Sequence, residues 1–268
     1  MNFELLRVAI AVVGTGALAW EDWRTSFMDD RVLYAMIFAG AILDLATLDA
    51  SFVFSAFAPF TLILFGGYFL WRAGQFGAGD VYLFAGLQLL LPFAPFGGQQ
   101  LVPFALSVFL AASLFAVIGT AAGYAVMLRG KLRGVKAFVL AALLFAGLGV
   151  FAFYGASLVV AVLYLLFASS FFYLLYRNEI IEANVEMVPL RKVDEEDVLA
   201  LDRLPKSKVK EFGLEKVATR KQLKRLKKTG LKKFPVYKHL PRFGPFVLAG
   251  LLACLALGDV YLFLSGFN

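Results

Sequence analysis

The sequence predicts an all-α polytopic membrane protein: a bundle of about eight transmembrane helices (six to eight) carrying a small cytoplasmic domain. Three observations carry that expectation. Hydrophobic residues make up 61% of the 268 residues and mean hydropathy is +0.79, whereas soluble domains hold about 45–50% apolar residues. Eight apolar stretches approach the roughly 20 residues that a bilayer-spanning helix requires. The basic residues also segregate into one set of connecting loops, as the positive-inside rule expects.

The stretches run near 5–20, 32–48, 52–71, 81–96, 101–128, 137–154, 157–176 and 244–265. The first ends in Trp20-Glu21-Asp22-Trp23-Arg24, where aromatic anchors flank two carboxylates. It is not a convincing secretory signal, because Glu4 precedes Arg7 and Ala17-Leu18-Ala19 is a weak cleavage match, so it reads as a retained helix. Asp29-Asp30 stand where a helix cap belongs, before the second stretch. Arg72 closes the third as a snorkelling anchor. The fourth opens after Gly77-Ala78-Gly79-Asp80, and its Gln88 is expected to hydrogen-bond a neighbouring helix. Gly155 divides 137–176 into a hairpin, with one re-entrant element as the alternative. The organisation expected is a membrane core 1–136, an additional hairpin 137–176, a charged cytoplasmic domain 177–243 and a final helix within 244–268.

Outside 177–243 there are eight basic residues, and all but Arg7 fall on one side of an eight-span arrangement. The loops Leu48–Ser51, Pro95–Gln100 and Tyr154–Ala156 contain none. The charged side is therefore cytoplasmic, and Asp22 and Asp80 face it. Arg7 is discordant, and its nearness to the N-terminus suggests that it snorkels outward. Asp44, Asp49 and Asp259 lie toward the opposite face and take structural roles.

Residues 177–243 hold 18 Lys/Arg and 10 Asp/Glu, so the whole chain's charge of +7 resides there. Thr219-Arg-Lys-Gln222 fits a capping box, followed by a helix to Thr229 that stops at Gly230. Leu223 and Leu226 give that helix a narrow apolar edge on an otherwise basic surface. It reads as a solvated face or as a surface for anionic lipid headgroups, each nearby Lys or Arg contributing about 1 kcal/mol. No recognition motif or interleaved aromatic supports nucleic-acid binding. Cys254 and His239 each stand alone, so neither a disulfide framework nor a zinc site is expected, and no cofactor is implied.

Two carboxylates at one membrane edge are costly unless solvated, paired or used. Asp22 has a plain reading as an interfacial partner of Arg24, and Asp80 as an N-cap. The crowding of Gly74, Gly77 and Gly79 beside Asp80 adds something capping does not need, since glycine admits positive φ and lets another backbone come close. At a membrane edge beside a carboxylate that backbone is read as a substrate peptide, although glycine is also common in membrane loops and a bare G-x-G-D is a weak signal. If the two aspartates share one face, they share a proton, as in aspartic proteases. Spacing alone leaves a proton-coupled transporter, with the carboxylates as a relay, equally open.

Asp22-Trp23-Arg24-Thr25-Ser26 with Asp29-Asp30-Arg31, then Gly77-Ala78-Gly79-Asp80 opening a later helix, resembles the archaeal preflagellin and prepilin peptidases, which are G-x-G-D membrane aspartyl proteases. The likeness covers residues 8–128 best and extends loosely to Pro241–Pro245. It implies Asp22 and Asp80 as the catalytic pair, Gly77, Ala78 and Gly79 as the substrate-binding loop, and archaellin or pilin-like precursors as partners. The reaction implied is removal of a short charged leader on the cytoplasmic side, without cofactor or metal. Two departures are visible: the hairpin 137–176 is additional to the six spans of the smaller archaeal enzymes, and the paired Cys-x-x-Cys motifs of many bacterial members are missing.

Overall fold

The structure, a computed structural model, describes residues 3–97, 100–154, 158–193, 195, 197–237 and 242–259. Each of the eight apolar stretches forms a helix. These are α1 (Glu4–Thr25), α2 (Asp30–Leu45), α3 (Ala50–Arg72), α4 (Ala78–Leu90), α5 (Phe104–Met127), α6 (Val135–Tyr154), α7 (Leu158–Leu175) and, after the polar segment, α11 (Gly244–Leu257). Two of them, α3 and α5, are long and apolar enough to cross a membrane unaided. A third candidate is Val160–Leu175 continued into α8 (Arg177–Asn184), a pair bent by 74°. The turn expected at Gly155 lies outside the described residues.

The helix starts follow local chemistry. Asp29 caps α2 by accepting the Arg31 amide at 2.8 Å, and Asp49 caps α3 by accepting the Ser51 amide at 2.9 Å. Such caps contribute about 1 kcal/mol each. α4 sits at the centre: every residue from Val81 to Leu90 except Tyr82 is buried. It packs chiefly on α2 and α3, while α11 lies against α5 and α1. A helix buried all round needs no polar face, which is why its sequence shows no amphipathic stripe. α6 and α7 pack together beside α5, where Tyr124, Phe172 and Tyr176 form a second cluster and Lys136 pairs with Glu179 at 2.6 Å.

Three expectations are corrected here. Arg7 does not snorkel: it is 7% exposed and pairs with the fully buried Asp44 at 2.7 Å. Burial of the carboxylate draws the guanidinium inward, because an unpaired charge there costs more than the lost hydration of a pair. Gln88 is buried, yet both of its amide atoms lack a hydrogen-bond partner among the described residues. Its helix is surrounded by aliphatic and aromatic side chains, which offer nothing to bond. Finally, the described part of the polar segment 177–243 contains strands as well as helices.

That segment folds around a three-stranded antiparallel sheet of β1 (Val185–Pro189), β2 (Val198–Leu199) and β3 (Lys233–Tyr237), in the order β1-β3-β2. Val185 faces Tyr237 and Val198 faces Tyr237 from the other side. The sheet and the helices α9 (Lys206–Glu211) and α10 (Arg220–Lys228) enclose a core of Val188, Leu199, Leu226, Phe234 and Val236. α10 starts as expected, with Thr219 Oγ1 accepting the Gln222 amide at 3.3 Å, and Gly230 turns left-handed at φ 69°. The reciprocal half of the capping box is not formed, because the Gln222 side chain donates to Gly213 instead. Leu226 is fully buried and Leu223 half-buried, so the apolar edge of α10 serves its own domain core. Lys221, Lys224, Lys227 and Lys228 remain exposed.

Candidate active site

Asp22 occupies the last turns of α1 and Asp80 the first turn of α4, just outside the apolar stretches 5–20 and 81–96. The antiparallel run of the two helices brings both carboxylates to one end of the bundle. They are near enough for the Asp22 charge to raise the Asp80 pKa.

Asp22 is buried, at 8% exposure. Its Oδ2 accepts the backbone N–H of Gly244 at 2.8 Å, across the α1–α11 interface. Burial raises its pKa, and the Gly244 amide and the Arg242 charge oppose that rise. The expected partner, Arg24, turns instead onto the Trp20 ring at 5.7 Å. Asp22 is therefore held by backbone from the far end of the chain and not by its neighbour in sequence.

Asp80 is half-buried as a residue, but its Oδ1 is fully buried without a hydrogen-bond partner. Burial is the largest cause of a pKa pushed up to about 7; the Asp22 charge adds to it and the Gly77 amide works against it. Being third in the helix, the carboxylate also faces the positive end of the α4 dipole. Burial thus favours the protonated form of both carboxylates, and the Asp22 charge adds to that effect at Asp80.

The glycines act differently from the expectation. Gly77 is the N-cap of α4 at φ −74°, and neither it nor Gly79 has a positive φ. What they provide is space: a Cβ on Gly77 would lie 2.9 Å from Asp80 Oδ2, and one on Gly79 would lie 3.3 Å from Met28 Sδ. The left-handed glycine of this turn is Gly74, at φ 66°, and the side chains of Lys216 and Val217 from the polar segment cover it. Ala78 opens the helix and is half-buried.

Sequence reasoning missed Arg242, Phe243 and Gly244. Arg242 donates to the Trp23 carbonyl and to Ser26 Oγ, and lies over the Trp23 ring. Phe243 packs on Phe76 and Phe84 at centroid distances of 5.6 and 6.2 Å, and Phe109 completes the cluster. Phe76 precedes Gly77 and Phe243 precedes Gly244, so one aromatic cluster ties together the two backbone segments beside the carboxylates. A Cβ on Gly244 would meet Asp22 Oδ2 at 3.0 Å and Ala19 Cα at 3.2 Å, so only glycine lets its amide reach the carboxylate. The visible signal was the pair of Phe-Gly steps, each at the mouth of an apolar stretch.

Among the described residues, no group of three or more His, Cys, Asp or Glu side chains is arranged to hold a metal ion, and His239 lies outside them. Cavities of about 360 and 460 Å³ lie elsewhere, one between α3 and the Pro92–Pro103 loop and one beside α10.

Residues 9–121 match the type IV leader peptidase family. The chain is also similar to prepilin peptidase EppA of Methanothermobacter thermautotrophicus, with 33% identity over 99 residues, covering 35% of this chain and 26% of that protein. The chain therefore aligns with about a quarter of the length of that curated relative. No solved structure matches. The family likeness read from the motifs is borne out over the matched residues, which include Asp22 and Gly77 to Asp80.

Proposed function

We propose that this chain, whose residues 9–121 match the type IV leader peptidase family, is a membrane aspartyl endopeptidase that removes the short charged leader from pilin-like or archaellin precursors. The observation that carries this reading is the pair Asp22 and Asp80, brought from two helices into one electrostatic environment with a buried, unpartnered carboxylate oxygen.

In the proposed reaction the ionised member of the pair takes a proton from water, and that water attacks the scissile carbonyl. The protonated member donates to the carbonyl oxygen, where negative charge develops. Asp80, with the higher pKa, starts as the acid, and Asp22, bonded to Gly244, starts as the base. Collapse of the tetrahedral intermediate passes the proton to the leaving amine. The precursor's apolar helix packs laterally on the bundle while its leader lies extended over Gly77–Gly79. In this arrangement eight helices span the membrane, residues 177–243 are cytoplasmic with the active site, and the exposed lysines of α10 meet anionic lipid headgroups.

The transporter alternative places its carboxylates near the bilayer midplane, whereas these two sit at helix ends. Incubating the purified protein with a pilin-like precursor and an archaellin precursor, and mapping products by mass spectrometry, tests the proposal. A single cut between the charged leader and the apolar segment is expected. Intact precursors after incubation with well-folded protein would overturn it.

A further inference from the structure

α4 has 13 residues. At 1.5 Å per residue it is about 20 Å long, shorter than the hydrocarbon core of about 30 Å. It ends inside the bundle, where Leu91 leaves the helical conformation and is itself buried. The last carbonyls of a helix have no intrahelical donor, and away from water they require one.

Arg7 supplies it. Nη1 donates to the Leu89 carbonyl at 3.1 Å, the Leu90 carbonyl at 3.3 Å and Asp44 Oδ1 at 2.7 Å. Its guanidinium carbon lies 5.4 Å from the centre of the Phe52 ring. One cation therefore joins α1, α2 and the negative end of the α4 dipole, the place where a cation is favoured. Among the described residues, these are the only side-chain hydrogen bonds that another helix makes to α4. Away from Asp80 its remaining contacts are mainly apolar, and the hydrophobic effect behind them is non-directional.

We propose that the buried Arg7–Asp44 pair sets the axial position of α4 and thereby places Asp80 against Asp22. The assignment rests on the peptidase reading above and makes Arg7 and Asp44 positioning residues. α1 and α4 are continuous helices, and each links the Arg7 end of the bundle to the aspartate end. A shift at Leu90 is transmitted along a rigid helix to Asp80, and a displacement of about 1 Å can cost about 100-fold in rate. Gln88, with no bond of its own, provides no second anchor.

The test uses the full-length protein with three substitutions. Arg7→Met alone would strand a buried carboxylate, so the informative variant is the double Arg7→Met/Asp44→Leu, which replaces the pair by apolar groups of similar size and is tolerated in many buried ion pairs. Arg7→Lys keeps the charge but not the planar fork. Precursor turnover is measured in detergent, alongside amide hydrogen exchange of α4 and α5 without substrate. The double variant is expected to fold, to exchange its α4 amides about tenfold faster with α5 unchanged, and to lose about 10- to 100-fold in kcat with KM within about twofold. Arg7→Lys should fall between it and the wild type. Wild-type turnover in the double variant, or lost turnover with unchanged α4 exchange, would overturn the proposal. A wild-type protein that cuts no precursor, with α4 exchange still accelerated in the double variant, would overturn the peptidase reading and leave the anchor standing.

Discussion

The two ends of α4 place acidic residues in opposite circumstances. At the C-terminal end Asp44 is fully buried and engaged by Arg7, and nearby Asp259 accepts the Leu101 amide and the Ser107 hydroxyl at 2.8 Å each. At the N-terminal end Asp80 has a buried oxygen with no partner among the described residues, and the like charge of Asp22 acts on it. The same residue type is neutralised for structure at one end and left unneutralised at the other. Perturbed carboxylates of this kind cluster at functional sites, which is the ground of the proposed catalytic role.

The sharpest way to break that contrast is to neutralise each carboxylate in turn. Asp22→Asn and Asp80→Asn are expected to lower precursor cleavage by about 1,000-fold or more while the protein inserts and folds normally. Asp44→Asn should act first on stability. It leaves Arg7 buried without its counter-charge, at a cost of about 3–5 kcal/mol, visible as a lowered Tm in detergent. Near-normal turnover in either site variant would remove the catalytic pair.

Gly244→Ala probes the backbone that holds Asp22. The new Cβ would lie 3.0 Å from Oδ2 and 3.1 Å from the Asp22 Cβ, so the amide must withdraw from the carboxylate. Turnover is expected to fall about 10- to 100-fold. Gly79→Val should show a loss of similar sense that Met28→Ala partly relieves, since Met28 is what the side chain would strike. If relief is absent under matched expression, space at Gly79 is not the constraint.

Proton sharing makes a signed prediction about pH. Asp80 rises from 3.8 to about 7 on folding, so the fold favours its neutral form. That contribution to stability is complete below pH 3.8 and is lost as pH rises through about 7. Wild type should therefore lose stability relative to Asp80→Asn across that window, measured as the difference in Tm. Cleavage should decline above about pH 7 as the shared proton leaves. A rate that keeps climbing through pH 8 to 9 would contradict the acid role of Asp80.

Smaller effects belong to the polar segment 177–243 and its contact with Gly74. Gly74→Ala forces a side chain into a left-handed conformation under Lys216, at a cost of about 1 kcal/mol, so this position is less tolerant than its place outside the G-x-G-D motif suggests. Replacing Lys224, Lys227 and Lys228 by Gln should weaken binding to anionic vesicles by about 1 kcal/mol per charge and leave detergent turnover within about twofold. Complete loss of detergent activity in that variant would tie the domain to the bond-breaking step.

Composition and apolar run length were enough to locate all eight long helices, because burying about 20 apolar residues is a demand that each segment meets locally. The caps at Asp29 and Asp49 and the stop at Gly230 were legible for the same reason, since a cap is an agreement between residues two or three apart. The motif residues Asp22 and Asp80 were likewise visible as carboxylates placed where a membrane chain tolerates few. Other features needed the tertiary structure. Arg7 reads as a snorkelling terminus until Asp44 and the end of α4 converge on it, and Gly244 reads as a loop glycine until its amide meets Asp22. The sheet was hidden because β2 has only two residues and both longer strands contain proline, so no alternating pattern develops. Local propensity acts between neighbours in sequence and leaves its trace there. The charge pairing, the close backbone approach and the effect of Asp22 on Asp80 arise between residues far apart in the chain, whose pairing no local pattern encodes.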